Sequence, residues 1–183
     1  MAHRVLVPLA NGFEEIEAIT VIDVLRRAGC EVVVASLLPG LVRGSHGIEV
    51  RADTELGLLD AASFDLVVLP GGQPGTRNLA ADPRVLELVR AHHGRGRTTA
   101  VICAAPSVLQ AAGILGEATV TSHPSVRSLL GNAKVDNDSA VVRSGSIVTS
   151  QGAGTALEFA LELAAECAGR AKSDELARAM MVH

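Results

Sequence analysis

Cys103 directly follows the apolar run Thr99-Ala-Val-Ile102 and directly precedes a helical pattern that stops at Gly113. A thiol at such a strand-to-helix turn has the geometry of a nucleophile elbow. It faces the positive end of a helix dipole, which is expected to stabilise the thiolate and lower its pKa. Backbone N–H groups of the first helical turn then point toward an oxyanion formed on a substrate. The plain alternative is a small packed residue, since buried cysteines are common. The other two cysteines, Cys30 and Cys167, follow a helix-stop glycine and sit on an alanine-rich helix face. Without a Cys-x-x-Cys pair neither zinc nor a dithiol motif is indicated, and packed thiols are the preferred reading of both.

Glu17 is the second candidate. At 100° per residue it falls on the arc shared by Ala18, Val21, Ile22, Val24, Leu25 and Ala28, while Thr20, Asp23 and Arg27 point the other way. The carboxyl is therefore expected on the buried face. Burial without a cationic partner raises its pKa and favours the protonated, hydrogen-bond-donating acid; the alternative is that Glu17 only complements the helix dipole. His123, in Thr121-Ser-His-Pro124, could serve as an acid/base or orienting group, or equally cap the helix that Pro124 begins. His3, His92, His93 and His183 lie at termini or helix ends and read as solvated. The clusters Leu69-Pro-Gly-Gly72 and Gln151-Gly-Ala-Gly-Thr155 bring bare backbone to the ends of strands, for an oxyanion hole or for turns, and match neither a P-loop nor a dinucleotide fingerprint.

The elements that must position these groups are legible as an alternation. β-branched apolar runs at 4–9, 31–36, 65–70 and 98–102 read as buried parallel strands. Helical patterns at 14–28, 83–93 and 104–112 end at Gly29, Gly94 and Gly113. Further on, 118–121 and the pair 140–143 and 146–150, joined at Ser144-Gly145, read as strands; a long helix at 155–168 and a last surface helix at 172–180 follow. The order predicts one domain over 1–183 of α/β class: a flavodoxin-like, doubly wound, mostly parallel open sheet with helices on both faces and a nucleophile elbow. Ligands in such sheets bind beyond the C-terminal ends of the strands.

Composition agrees with this and excludes other classes. The 183 residues are 48% hydrophobic, with no Trp or Tyr, three Phe and a net charge of -4. An aliphatic core of this size needs no metal or disulfide. The charge and the lack of basic runs or stacking aromatics argue against a nucleic-acid or anionic-membrane surface. The stretch 5–10 is too short for a signal peptide or a membrane span, so a soluble cytoplasmic protein is expected.

Taken together, Gly12-Phe-Glu-Glu-Ile-Glu17, Val68-Leu-Pro-Gly-Gly72, Ile102-Cys-Ala-Ala-Pro106, Thr121-Ser-His-Pro124 and Ser150-Gln-Gly-Ala-Gly-Thr155 resemble the ThiJ/PfpI superfamily. More narrowly, they resemble its parkinsonism-associated deglycase branch and the bacterial relatives. The resemblance implies a homodimer in which Cys103 is the nucleophile and oxidation sensor, Glu17 its protonated hydrogen-bond partner and His123 the nearby histidine. The amides of Gly72 and Ala104 would form the oxyanion site. It also implies anion- or substrate-binding roles for Arg27 and for His46, which stands where close relatives carry arginine. Ala105 stands where glycine is frequent, and would be strained if that position needed a positive φ.

The implied activity is conversion of small 2-oxoaldehydes, glyoxal and methylglyoxal, to 2-hydroxy acids without glutathione, metal or other cofactor, with deglycation of proteins or nucleotides as an extension. Cys103 would add to the aldehyde, Glu17 would move a proton between adjacent carbons through an enediol, and a thioester would be hydrolysed. The same parts suit a redox-sensing stress protein or chaperone acting through oxidation of Cys103. Proteolysis is disfavoured because Ala104, not histidine, follows the nucleophile, and the Glu17/Cys103 pair argues against an idle binding module.

Overall fold

The computed structural model describes residues 2–182. Its elements are β1 (Arg4–Leu9), α1 (Glu15–Arg27), β2 (Glu31–Ser36), β3 (Leu41–Arg43), β4 (Glu49–Arg51), β5 (Thr54–Glu55), β6 (Leu66–Leu69), α2 (Gly75–Ala81), α3 (Pro83–Gly94) and β7 (Thr98–Ile102). These are followed by α4 (Pro106–Ala111), β8 (Thr119–Val120), β9 (Lys134–Val135), β10 (Val141–Ser144), β11 (Ile147–Ser150), α5 (Ala156–Ala168) and α6 (Arg170–Ala179). Seven strands form one sheet in the order β10-β11-β7-β6-β1-β2-β5. All its pairs are parallel except the β10/β11 hairpin at one edge.

Helices cover both faces, which is why the central strands are apolar without a break. Val5, Val7 and Leu9 of β1 join α1 and α5 in one cluster, and Leu6 joins α2, α3 and α4 in the other. The fold is the doubly wound α/β class read from the alternation. Among the described residues, no helix is long and apolar enough to cross a membrane.

Several expectations are corrected. Helix α3 runs through Gly94, and the chain turns instead at Gly96, whose φ is +69°. The hairpin turn is Gly145-Ser146, since Ser144 pairs with Ile147 and Gly145 supplies the positive φ of a two-residue loop. Helix α6 begins at Arg170 and buries Ser173 and Leu176, so it packs on the domain rather than lying on it. His92 is buried, not solvated: as α3 turns back into β7, its Nε2 meets the Thr98 carbonyl at 3.0 Å. Burial pushes its pKa down. His93 is half-buried beside Ser146 Oγ, and His183 lies outside the described residues. The short strands β3, β4, β5 and β9 and the helix α2 carry too little periodicity to be read from sequence.

Candidate active site

The strand order reverses between β1 and β6: from β1 the chain winds outward through β2 and β5, then returns to β6 and winds the other way through β7 to β11. A crevice opens at the C-terminal ends of the strands flanking such a reversal. Glu17 enters it from the first turn of α1, Gly71 and Gly72 from the end of β6, and Cys103 from the end of β7.

Glu17 is wholly buried, as its place on the apolar arc predicts. Its Oε2 accepts the Gly71 N–H at 2.8 Å. Its Oε1 meets no well-aligned donor and is left to the Cys103 thiol. Burial is the largest influence on the carboxyl and, reinforced by the charge of Glu14, raises its pKa to about 7 against the opposing pull of the Cys103 and Gly71 hydrogen bonds. Gly71 belongs to the Pro-Gly-Gly cluster read as bare backbone at a strand end, but its role beside Glu17 and Cys103 is not given by sequence. A Cβ there would lie 2.6 Å from Cys103 Cβ and 2.7 Å from Glu17 Oε2, so only glycine lets the carboxyl and the sulfur share this space.

Cys103 has φ +64°, a left-handed conformation unusual for a side-chain-bearing residue, and stands at the strand-to-helix junction as expected of a nucleophile elbow. Such a backbone costs about 1–3 kcal/mol and persists only where its surroundings enforce it. Here the Cys103 N–H donates to the Ser150 carbonyl at 2.9 Å and its carbonyl accepts the His123 N–H at 2.9 Å. The strain ends at once: Ala105 has φ -67° and ψ -20°, so alanine is at ease there.

The expected lowering of the thiol pKa is overturned. Burial first, then the charge and hydrogen bond of Glu17, push Cys103 up to about 12. The amides of Gly72 and Ala104 point at the sulfur and pull the other way, but they do not prevail. Helix α4 is only six residues long and begins at Pro106, so its dipole is a weak counterweight.

Of the readings its position allowed, His123 shows the cap, and it brings its ring near the other two groups. Its Nδ1 accepts the Ser125 N–H at 3.3 Å and lies 2.8 Å from Ser125 Oγ, capping the short 3-10 turn that Pro124 begins. With Nδ1 accepting, the neutral ring carries its proton on Nε2. The opposite edge of the ring faces the crevice: a carbon at the Cβ position of Gly152 would be 3.9 Å from His123 Cδ2, 4.0 Å from Cys103 Sγ and 4.0 Å from Glu17 Oε1. One atom-sized point is thus in van der Waals reach of all three side chains. Gly152 is kept there by Thr155, whose Oγ1 receives the Gly152 N–H at 3.1 Å and lies 2.7 Å from Ser150 Oγ.

The two expected anion-binding residues are not part of this group. Arg27 lies on the last turn of α1, ten residues or about 15 Å along the axis from Glu17, exposed and paired with Asp23 at 2.8 Å. His46 is exposed at the ring, with its Nδ1 2.9 Å from Glu15 Oε2 and 3.1 Å from Ser45 Oγ. Burial would raise Glu15, but hydrogen bonds from the His46 side chain and backbone win and hold it at about 2. Glu14, Glu15 and His46 place donor atoms within 4.8 Å of one another, yet the Glu15 carboxylate is already engaged by His46, Ser45 and the loop amides. A cavity of about 450 Å³ between Leu9, Asn11, Leu38, Leu41 and Asn78 contains none of the predicted groups.

Residues 3–166 match the model of the DJ-1/PfpI family. The chain is 42% identical over 184 residues to protein dj-1beta of Drosophila melanogaster, covering 100% of this chain and 98% of that one. The crystal structure of that Drosophila protein superposes with a TM-score of 0.96 over the whole of both chains. The Parkinson disease protein 7 homolog of Danio rerio is 39% identical, over 91% of this chain and 90% of its own. A Caenorhabditis elegans protein named glutathione-independent glyoxalase DJR-1.2 is 37% identical, over 89% of this chain and 87% of its own.

Proposed function

The chain belongs to the DJ-1/PfpI family, and from that premise we propose that it converts glyoxal and methylglyoxal to 2-hydroxy acids, using Cys103 as nucleophile and no glutathione. One observation carries the reading: a buried carboxyl that titrates near neutrality turns its unpartnered oxygen toward a sulfur held at φ +64°. The kind of activity printed for the nematode relative supports it.

The thiol is too weak an acid to ionise first, so its proton leaves during attack. Sγ bonds to the aldehyde carbon, the carbonyl electron pair moves to oxygen, and the Glu17 carboxylate accepts the thiol proton. The alkoxide so formed faces the amides of Gly72 and Ala104, which already point at the sulfur. Glu17 passes the thiol proton to that oxygen, then removes the carbon-bound proton and returns it to the neighbouring carbon by way of an enediolate, while the proton of the first hydroxyl passes to the second oxygen, leaving the thioester of a 2-hydroxy acid. Water cleaves the thioester and regenerates the thiol. The electrons balance within the substrate, and the net change is addition of one water. In this scheme His123, donating from Nε2, would hold the second carbonyl oxygen, a role supported by the approach of its ring to the shared point beside Gly152. Arg27 and His46 are given no role.

The test is lactate formation from methylglyoxal without glutathione. Turnover by the native chain that falls by about 10² or more in Cys103→Ser and in Glu17→Gln is expected. No turnover in the native chain overturns the proposal. Deglycation would use the same thiol on the aldehyde's amine adducts, and is distinguished from scavenging by amine release that outlasts removal of free aldehyde.

A second reading, oxidation of Cys103 as a signal, is favoured by one feature: protonated Glu17 can donate to a sulfinate oxygen on that residue. The raised thiol pKa weakens it, because peroxide reacts with thiolate. Cys103 found unmodified by peroxide while other thiols react removes this reading. We further propose a homodimer, supported by Ile16, Ile19 and Ile48, which are 57%, 42% and 57% exposed; light scattering showing a monomer refutes it.

A further inference from the structure

Two thiols that sequence reading set aside as packed residues stand together. Cys30 follows Gly29 at the start of β2, and Cys167 lies in the last turn of α5, the helix that lies along α1. Both belong to the cluster between these helices and the sheet, Cys30 at 9% exposure and Cys167 half-buried at its margin. Both are free, and the Cys167 thiol hydrogen-bonds the Cys30 sulfur. We propose that Cys30 and Cys167 are a second thiol centre, separate from Cys103, which hydrogen peroxide converts to a reversible disulfide tying the end of α5 to the start of β2.

The roles of the two sulfurs differ. The Cys167 hydrogen bond lowers the pKa of Cys30, while that of Cys167 is itself pushed up by the same bond and by burial. We take Cys30, the sulfur that accepts the Cys167 hydrogen bond, as the attacking one. Its thiolate displaces hydroxide from peroxide, forming a sulfenic acid as one oxygen is transferred and the O–O bond takes up two electrons. Cys167 then attacks the Cys30 sulfur; the S–S bond forms, and the sulfenic hydroxyl leaves as water with the Cys167 proton. The resolving thiol is already in contact, so this step competes with a second peroxide that would drive Cys30 to sulfinate. A thiol reductant restores both residues. The bridge encloses every strand from β2 to β11 and would stabilise the fold by restricting the unfolded chain.

The experiment uses the full chain as Cys103→Ser, which leaves only these two thiols, with the native chain mapped in parallel in case the variant folds poorly. After treatment with hydrogen peroxide and alkylation, non-reducing peptide mapping is expected to show the Cys30 and Cys167 peptides joined within one chain. Their mass should be lower by two hydrogens, and dithiothreitol should release them. The oxidised chain should unfold at higher denaturant than the reduced one. On the same background, Cys167→Ala should leave Cys30 as a sulfenic acid that dimedone captures. Alkylation of both cysteines after peroxide, a sulfinate at either without cross-link, or a bridge only between chains overturns the proposal. None of these outcomes depends on aldehyde turnover.

Discussion

Replacing Glu17 with glutamine keeps the shape of the side chain and an acceptor for the Gly71 N–H while removing the group that ionises. In the folded chain the carboxyl is raised from 4.5 to about 7, chiefly by burial. Each tenfold change in that equilibrium is about 1.4 kcal/mol, so the ionised form is disfavoured by about 3 kcal/mol relative to the unfolded chain. Because the folded pKa of this acid is raised, its effect on stability is absent below 4.5. It grows as pH rises and is complete above about 7, where the fold must hold a buried carboxylate that the unfolded chain solvates freely. Glu17→Gln should therefore gain on the native chain by about 3 kcal/mol between about pH 4 and about pH 8, or roughly 6–12 °C in unfolding midpoint for a domain of this size. Urea denaturation of both proteins across that window measures it, and other titrating groups cancel in the difference. A difference that stays flat with pH refutes the assignment of the buried, near-neutral carboxyl.

In the same variant two of the three influences that raise Cys103 vanish, since Glu17 contributes both charge and hydrogen bond. Iodoacetamide should then alkylate Cys103 faster, about tenfold for each tenfold gain in thiolate, even as lactate formation falls; slower alkylation refutes the coupling. Gly71→Ala sets a methyl 2.6 Å from Cys103 Cβ and 2.7 Å from Glu17 Oε2. It should cost about 1–3 kcal/mol and abolish turnover, and kinetics like the native chain's would contradict the packing. His92 is buried with a lowered pKa and an unpartnered Nδ1. Its contribution should be lost as pH falls below about 6.5, and His92→Gln should show less of that decline in urea midpoints.

The parts of the site that could be read in advance are those whose signal is local. Glu17 lies on an apolar arc, and a carboxyl there stands out because burial is costly; Cys103 sits where a strand pattern meets a helical one. The same wheel placed Arg27 opposite Glu17, and the structure agrees with the wheel: within one chain the arginine turns away to Asp23. What stayed hidden depends on return paths. Gly71 owes its role to the approach of α1 and β7 to the end of β6, three segments distant in sequence. His92 looks like a solvated helix end until the chain reverses at Gly96 and lays Thr98 over it. Cys30 and Cys167 meet because α5 crosses back to lie beside α1, and no spacing rule reports that. The dipole argument gives the wrong sign for Cys103 because it counts the amides and leaves out burial, the largest influence, and the neighbouring carboxyl.

The raised pKa bears directly on the proposed reaction. Cys103 near 12 and Glu17 near 7 describe one proton held between two groups, with the sulfur keeping it while the carboxyl is ionised. Moving it to Glu17 costs less than the gap of about five decades suggests, because the carboxylate charge that raises the thiol disappears as the carboxyl takes the proton. The amides of Gly72 and Ala104 also favour the sulfur anion thus formed. In the proposed reaction, a resting thiol beside a ready base avoids a standing thiolate, open to oxidation, and would release nucleophilic charge only as a carbonyl carbon arrives to share it. The strained backbone at Cys103 and the glycine at 71 serve this arrangement together: one turns the sulfur into the crevice, and the other leaves room for the carboxyl to reach it.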